Sequence, residues 1–249
     1  MTSAPQRRRA DLLLVERGFF ESRARAQAAI AAGLVFADGV AVRRASDGLA
    51  PHALIEASLE HPYVSRGGVK LAYALDHFAI DVTDAHALDV GASTGGFTEA
   101  LLARGAAHVT AVDVGRGQLH ERLKGDRRIL SLEATDVREL SPNTLPEPPS
   151  IVTIDVSFAP LAVVLPPALA LAAPQATLIA LVKPQFEAGR KDIGKNGVVK
   201  DEAVRVRVVE AAEALIASLG FAHLGTATSP IAGGDGNVEY LIAAERRIG

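Results

Sequence analysis

At 249 residues, 49% of them hydrophobic and 22% charged, with a mean hydropathy of +0.20, the chain carries enough apolar material to exclude wholesale disorder and is long enough for one large domain or two unequal ones. It contains no cysteine, so disulfides, thiolate metal sites and cysteine nucleophiles are excluded outright. The net charge of −3 argues against nucleic acid by itself, yet it is unevenly spread: residues 1–66 hold nine arginines and seven acids, the remainder 17 bases and 22 acids. Every basic residue of that first stretch is an arginine, whose forked guanidinium suits phosphate. Aromatics make up only 4% and tryptophan is missing, which disfavours a module that reads single strands by stacking.

The N-terminal stretch lacks the apolar core of a signal peptide. The apolar run 161–173 is interrupted by Pro166 and Pro167 and is too short to span a bilayer, so a soluble, cytoplasmic chain is expected. Residues 8–60 read as a small α+β unit. A short amphipathic helix over 10–17 ends at Gly18, and Ser22 is placed to cap a second helix over 23–32, which ends at Gly33. The apolar triplets 34–36 and 40–42 flank Asp38-Gly39, a two-residue hairpin signal. Arg23 and Arg25 fall in the first turn of the second helix, and Arg43 and Arg44 just beyond the hairpin. Taken singly, such arginines read more readily as a solvated surface. Their order, R-x-D-x-L-L-V-x-x-G-x-x-x-S-R-x-x-A from Arg9 and then I-x-x-G-x-V-x-x-D-G from Ile30, resembles the S-four-type (alpha-L) RNA-binding domain. That resemblance implies a helix pair lying on RNA backbone, with Arg9, Arg23, Arg25 and Arg43 as phosphate contacts, and recognition by shape.

Residues 61–68, with Pro62 and the pair Gly67-Gly68, read as a linker between a small domain over 1–60 and a large one over 69–249. Strands are predicted at 87–90, 108–113, 129–133, 151–156 and 177–182, and helices at 96–104, 118–124, 160–172 and 203–219. Two closing strands follow at 221–228 and 238–244. This alternation builds βαβ units. The fold class is α/β, a mostly parallel, Rossmann-like seven-stranded sheet with helices on both faces.

The first strand of that sheet runs into Asp89-Val90-Gly91-Ala92-Ser93-Thr94-Gly95-Gly96-Phe97. Small residues let the chain turn sharply and open the next helix's N–H groups to a ligand. Asp113 ends the second strand, where a carboxylate can accept both hydroxyls of a ribose. Ser93 stands where a dinucleotide fingerprint needs glycine, and no P-loop lysine follows Gly96. The form D-x-G-x-x-x-G-G resembles the cofactor loop of class I methyltransferases. S-adenosylmethionine is thereby implied, with Asp89 near its methionine end and Asp136 near the adenine amino group.

Four charges stand where charge is otherwise scarce. Lys70 starts an amphipathic helix, Asp155 ends the fourth strand, Lys183 ends the fifth, and Glu239 opens the last. The carboxyl ends of parallel strands border the ligand crevice, so Asp155 and Lys183 should face the cofactor loop. Any one of the four alone could be a structural or surface charge. Together they resemble the Lys-Asp-Lys-Glu tetrad of FtsJ/RrmJ-type ribose 2′-O-methyltransferases. VSRGG-x-KL, D-x-GASTGGFT, DVSF, LVKPQFE and GNVEY, with the N-terminal module, resemble the TlyA (hemolysin A-like) rRNA methyltransferase family. The cofactor loop departs from the wider FtsJ-type group at Thr94 and Phe97, where proline and tryptophan are usual.

The family resemblance implies methyl transfer to a ribose 2′-hydroxyl, of cytidine, in the ribosomal RNA of ribosomal subunits, with no metal. A hydroxyl is a poor nucleophile and must be aligned with the methyl carbon and relieved of its proton. An ordinary lysine, with pKa near ~10.4, needs burial or a neighbouring cation to act as base. Lys70 beside Lys183 would supply that cation. Lys183 is then base or oxyanion stabiliser, Asp155 and Lys70 orient it, and Glu239 steers the hydroxyl. Residues 187–200 read either as a solvated loop or as an RNA-contacting flap through Arg190, Lys191 and Lys195, and Arg66 in the linker joins the RNA contacts. The competing readings are a non-catalytic RNA-binding or ribosome-assembly factor and a membrane-lytic protein. The latter is poorly served by a chain without a long apolar segment.

Overall fold

In the computed structural model, which describes residues 7–57, 61–233 and 236–247, the chain divides into the units Met1–Pro62 and Tyr63–Gly249. The first runs β1 (Arg8–Arg9), α1 (Ala10–Glu16), α2 (Arg23–Ala31), β2 (Val35–Ala37), β3 (Val40–Ala41), β4 (Gly48–Leu49) and β5 (Ile55–Ala57). Ser22 caps α2, its Oγ accepting the Arg25 N–H at 3.3 Å. Asp38 and Gly39 both take positive φ, 53° and 76°, as a tight hairpin turn requires. Two pairings go beyond the sequence reading: β5 joins β2, and β1 pairs with β4, which carries the turn after the hairpin back beside Arg9. Leu13, Leu14, Phe20, Ile30 and Val35 fill the small core.

The second unit runs α3 (Arg66–His77), β6 (His86–Val90), α4 (Gly96–Ala103), β7 (His108–Asp113), β8 (Ile129–Glu133), β9 (Ile151–Ile154), α5 (Leu161–Ala170), β10 (Ala176–Val182), α6 (Pro184–Glu187), α7 (Glu202–Ser218), β11 (Ala222–Thr228) and β12 (Tyr240–Arg246). The seven strands lie in the order β11-β12-β10-β9-β6-β7-β8, and β12 alone runs against the others. The order reverses between β6 and β9, which opens a crevice at their carboxyl ends. Side chains alternate between the faces. Leu88, Val152, Ile154, Leu178 and Ile242 pack with α5 and α7, whereas Ala87, Ile151, Ile179 and Leu241 pack with α3 and α4.

Two expectations are corrected. The span 118–124 is not a helix. The Glu133 carboxylate takes the N–H groups of Gly117, Gln118 and Leu119 at 2.9, 2.6 and 3.0 Å, and the His120 N–H goes to Thr94 O at 3.2 Å. These tertiary acceptors replace helical carbonyls, and the chain passes through successive turns instead. The stretch 61–68 is also not all connector, because α3 already begins at Arg66, one turn before Lys70. Gly68 is a packing residue within that helix, since a β-carbon there would overlap the Tyr63 side chain.

Leu88 is fully buried in the centre of the sheet. Replacing it with Ala should cost about 2–5 kcal/mol, read as a lower denaturant midpoint for the large unit's unfolding.

Candidate active site

The chain leaves β6 through Gly91, at φ 84°, where a β-carbon would stand 2.5 Å from the backbone oxygen of Asp155. Only glycine tolerates both the conformation and the approach. Beyond it, Ser93 adopts φ 47°, and its N–H donates to Asp113 Oδ2 at 2.8 Å, while Asp113 Oδ1 accepts the Gly115 N–H at 2.7 Å. Asp113 thus binds the loop to the end of β7. A carboxylate has four lone-pair sites, so acceptor capacity remains for a diol. At Gly96, the first residue of α4, a β-carbon would overlap Ser65 Oγ, so the loop and the start of α3 lie in contact.

Two hollows meet over this loop and share Gly91, Ser93, Asp155 and Ser157. The larger, about 460 Å³, is bordered by Asp113, Gly115, Gln118, Asp136 and Phe158. The smaller, about 280 Å³, is bordered by Arg66, Lys70, Ala92, Thr94, Gly96, Phe97 and Lys183. The two lysines and the loop therefore occupy one side of the sheet, as the strand-end argument requires.

The four charges are matched in pairs. Lys70 Nζ bonds Glu239 Oε2, and Lys183 Nζ lies 2.6 Å from Asp155 Oδ1 and donates to Ser157 Oγ at 3.0 Å. Lys70, Lys183 and Glu239 are all buried, and an unmatched ion there would cost several kcal/mol. The Lys183–Asp155 contact is an ion pair, and Asp155 Oδ1 is buried without a hydrogen-bond partner. Glu239 borders neither hollow and reaches the cleft only through Lys70. Glu239 holds Lys70 in place by that ion pair.

Asp89 lies beneath the loop. It is fully buried and borders neither hollow, with Thr98 Oγ1 donating to Oδ2 at 2.7 Å and Thr153 Oγ1 to Oδ1 at 3.0 Å. It ties the first turn of α4 to β6 and β9. Burial pushes its pKa up to about 6, against the pull of the two hydroxyls. Asp136 borders the larger hollow, but Arg138 Nε and Nη2 lie on its carboxylate at 3.0 and 2.7 Å and hold its pKa below the usual range.

Two neighbours of Asp155 in the DVSF stretch carry structural weight that charge-spotting misses. Ser157 receives the Lys183 ammonium. Phe158 is 88% exposed at φ 67°, its ring 4.9 Å from that of Phe186, so an aromatic face is held at the rim of the larger hollow at the cost of a left-handed backbone.

Among the basic residues, Arg66 is exposed beside Lys70, while Arg190, Lys191 and Lys195 are exposed beyond α6 and border neither hollow. Their segment is moored at both ends: Glu187 Oε1 accepts the Leu161 N–H at 2.9 Å, and Asn237 Oδ1 accepts the Val199 N–H at 2.9 Å. In the small unit, Arg9 and Arg23 converge on Asp11, Arg25 faces Glu21 at 3.5 Å, and Arg43 is exposed. Among the described residues no cluster of His, Asp or Glu could hold a metal, and no helix is long and apolar enough to cross a membrane.

The profile of the FtsJ-like methyltransferase family matches residues 63–246. A relative from Mycobacterium tuberculosis, the 16S/23S rRNA (cytidine-2′-O)-methyltransferase TlyA, is 45% identical over 95% of this chain and 89% of its own. Hemolysin A of Brachyspira hyodysenteriae is 38% identical over 94% of this chain and 98% of its own. A solved structure from Streptococcus thermophilus, provisionally described as a hemolysin, shares 39% identity and superposes with a TM-score of 0.75 over 98% of this chain and 90% of that one.

Because Asp89 is protonated more readily in the fold than in the unfolded chain, its stabilising contribution is complete below about pH 4 and is lost as pH rises through about 6. Wild type should therefore lose stability relative to Asp89→Asn across that window in urea unfolding. A difference that stays flat from pH 4 to 7 would contradict this.

Proposed function

The chain belongs to the FtsJ-like methyltransferase family, and on that footing we propose that it transfers a methyl group from S-adenosylmethionine to the ribose 2′-hydroxyl of a cytidine in ribosomal RNA. The observation that carries this reading is the meeting of Lys70, Asp155 and Lys183 in one hollow against the Gly91–Gly96 loop, with Glu239 behind Lys70.

The residues present fit the methyl donor. The larger hollow accommodates a nucleoside, with Asp113 taking the ribose hydroxyls and Asp136 next to the adenine edge, while residues 91–97 cradle the methionine end. Asp155 lines both hollows, where they meet. S-adenosylmethionine supplies an electrophilic sulfonium methyl.

Lys183 is ion-paired with Asp155 and donates one N–H to Ser157, which leaves donor capacity for the acceptor oxygen. It stabilises the charge that develops on the 2′-oxygen as the O–C bond forms and the C–S bond breaks, and the Lys183–Asp155 pair takes up the hydroxyl proton. Lys70, fixed by Glu239, adds a second positive group to the same wall. The S-four-type unit over 1–60 grips the RNA through Arg9, Arg23, Arg25 and Arg43, with Arg66, Arg190, Lys191 and Lys195 completing the contacts from the large unit. Such an enzyme works in the cytoplasm, on ribosomal subunits. A non-catalytic assembly factor would have no use for two buried, charge-matched lysines beside a cofactor loop.

Lys183→Ala should lower transfer at least ~100-fold while calorimetry shows S-adenosylmethionine affinity nearly unchanged; retained activity would remove Lys183 from the mechanism. Labelled methyl groups should pass to separated ribosomal subunits and map to a cytidine ribose. Failure on both subunits and on naked rRNA would remove the substrate assignment.

A further inference from the structure

Among the described residues of the small unit, Asp11 is the one charged side chain with no exposed surface, and it belongs to no catalytic group. It sits in the first turn of α1. Arg9, immediately before that helix, holds it bidentately, Nε to Oδ1 at 3.0 Å and Nη2 to Oδ2 at 3.1 Å. From α2, Arg23 Nη2 reaches Oδ2 at 2.9 Å and Gln27 Nε2 reaches it at 2.8 Å. The carboxylate is thus roofed by two guanidiniums whose side chains remain 48% and 54% exposed. The turn bearing Arg43 and Arg44 is bound to the same place, since the Ala10 and Asp11 N–H groups donate to Asp47 O and Ala45 O at 2.8 and 3.1 Å.

We infer that Asp11 is the positioning residue of the RNA-binding face: it fixes Arg9 and Arg23 as one preformed two-pronged phosphate clamp without touching RNA itself. This rests on the reading that the unit's arginines bind RNA backbone. Each guanidinium has five N–H groups in a fixed fork, and Asp11 engages only the Nε and Nη2 edge, which leaves the Nη1 donors unspent on Asp11 in side chains that stay about half exposed. A free arginine loses considerable rotamer freedom on seating a phosphate, whereas these two are ordered before RNA arrives. The arginine hydrogen bonds outweigh burial and hold the Asp11 carboxyl well below the usual carboxylate range, so the clamp stays ionised at any physiological pH.

Charge counting and positioning make opposite forecasts. Asp11→Asn removes a negative charge from beside the RNA face, which by Coulomb's law alone should tighten binding. Positioning requires it to weaken. The test is filter binding of the full chain to purified 16S and 23S rRNA across a KCl series. The variants are Asp11→Asn, Asp11→Glu and the double variant Arg9→Ala/Arg23→Ala, with hydrogen exchange confirming that the small unit is folded.

We expect Asp11→Asn to bind about tenfold more weakly and with a shallower dependence of log K on log [KCl], because each phosphate that is no longer neutralised takes about 0.7–0.9 off that slope. Asp11→Glu should recover part of both. Partial unfolding would lower affinity by one factor at all salt concentrations and leave the slope intact; that result, or unchanged or tighter binding, overturns the assignment. If Arg9→Ala/Arg23→Ala binds like wild type, the arginine face itself is refuted. If that double variant is weak but Asp11→Asn is not, only the role of Asp11 falls.

Discussion

The site depends on one backbone contact, the approach of Gly91 to the carbonyl of Asp155 across the point where the strand order reverses. β6 and β9 are hydrogen-bonded neighbours whose chains depart in different directions after Val90 and Ile154. Bringing the departing backbones together leaves no room for a β-carbon. In return, the turn that would hold a methyl donor and the acid that would face the acceptor share a wall. Asp113 and Asp89 reinforce that contact from two sides, one holding the loop by the Ser93 N–H, the other fastening α4 to the strands beneath.

Charge matching is the second constraint. Two lysines and two carboxylates in the large unit, and two arginines and one carboxylate in the small one, are each assembled so that a buried ion meets its opposite. The balance differs between the two. The set in the large unit pairs two lysines with two carboxylates, one for one. The Asp11 cluster sets two arginines against one carboxylate and so keeps one surplus positive charge.

Much of this was legible from residue order. The alternation of apolar strands and helices yields the sheet, and residues at strand ends yield the crevice, because both follow from local periodicity. Lys70, Asp155 and Lys183 are conspicuous as charges in apolar surroundings. What escaped depends on contacts distant in sequence. Residues 118–124 have helical composition but surrender their N–H groups to Glu133 and Thr94, an outcome that tertiary acceptors decide. Asp89 begins the loop motif, but that Thr98 and Thr153 take up its carboxylate emerges only from the fold. Gly67 and Gly68 resemble a hinge in composition, but Gly68 is a close-packing position. Phe158 could be noticed only once its exposure was known.

The direction of β12 has a consequence for the order in which the enzyme becomes complete. Because this strand runs against the other six, its beginning lies at their finishing edge, so Glu239 can reach Lys70 although 169 positions separate them. β12 also slots between β10 and β11, both made before it on the ribosome. Until it inserts, Lys70 has no counter-ion and the sheet is split. The Lys70–Glu239 pair and the joining of β10 to β11 therefore both wait on β12.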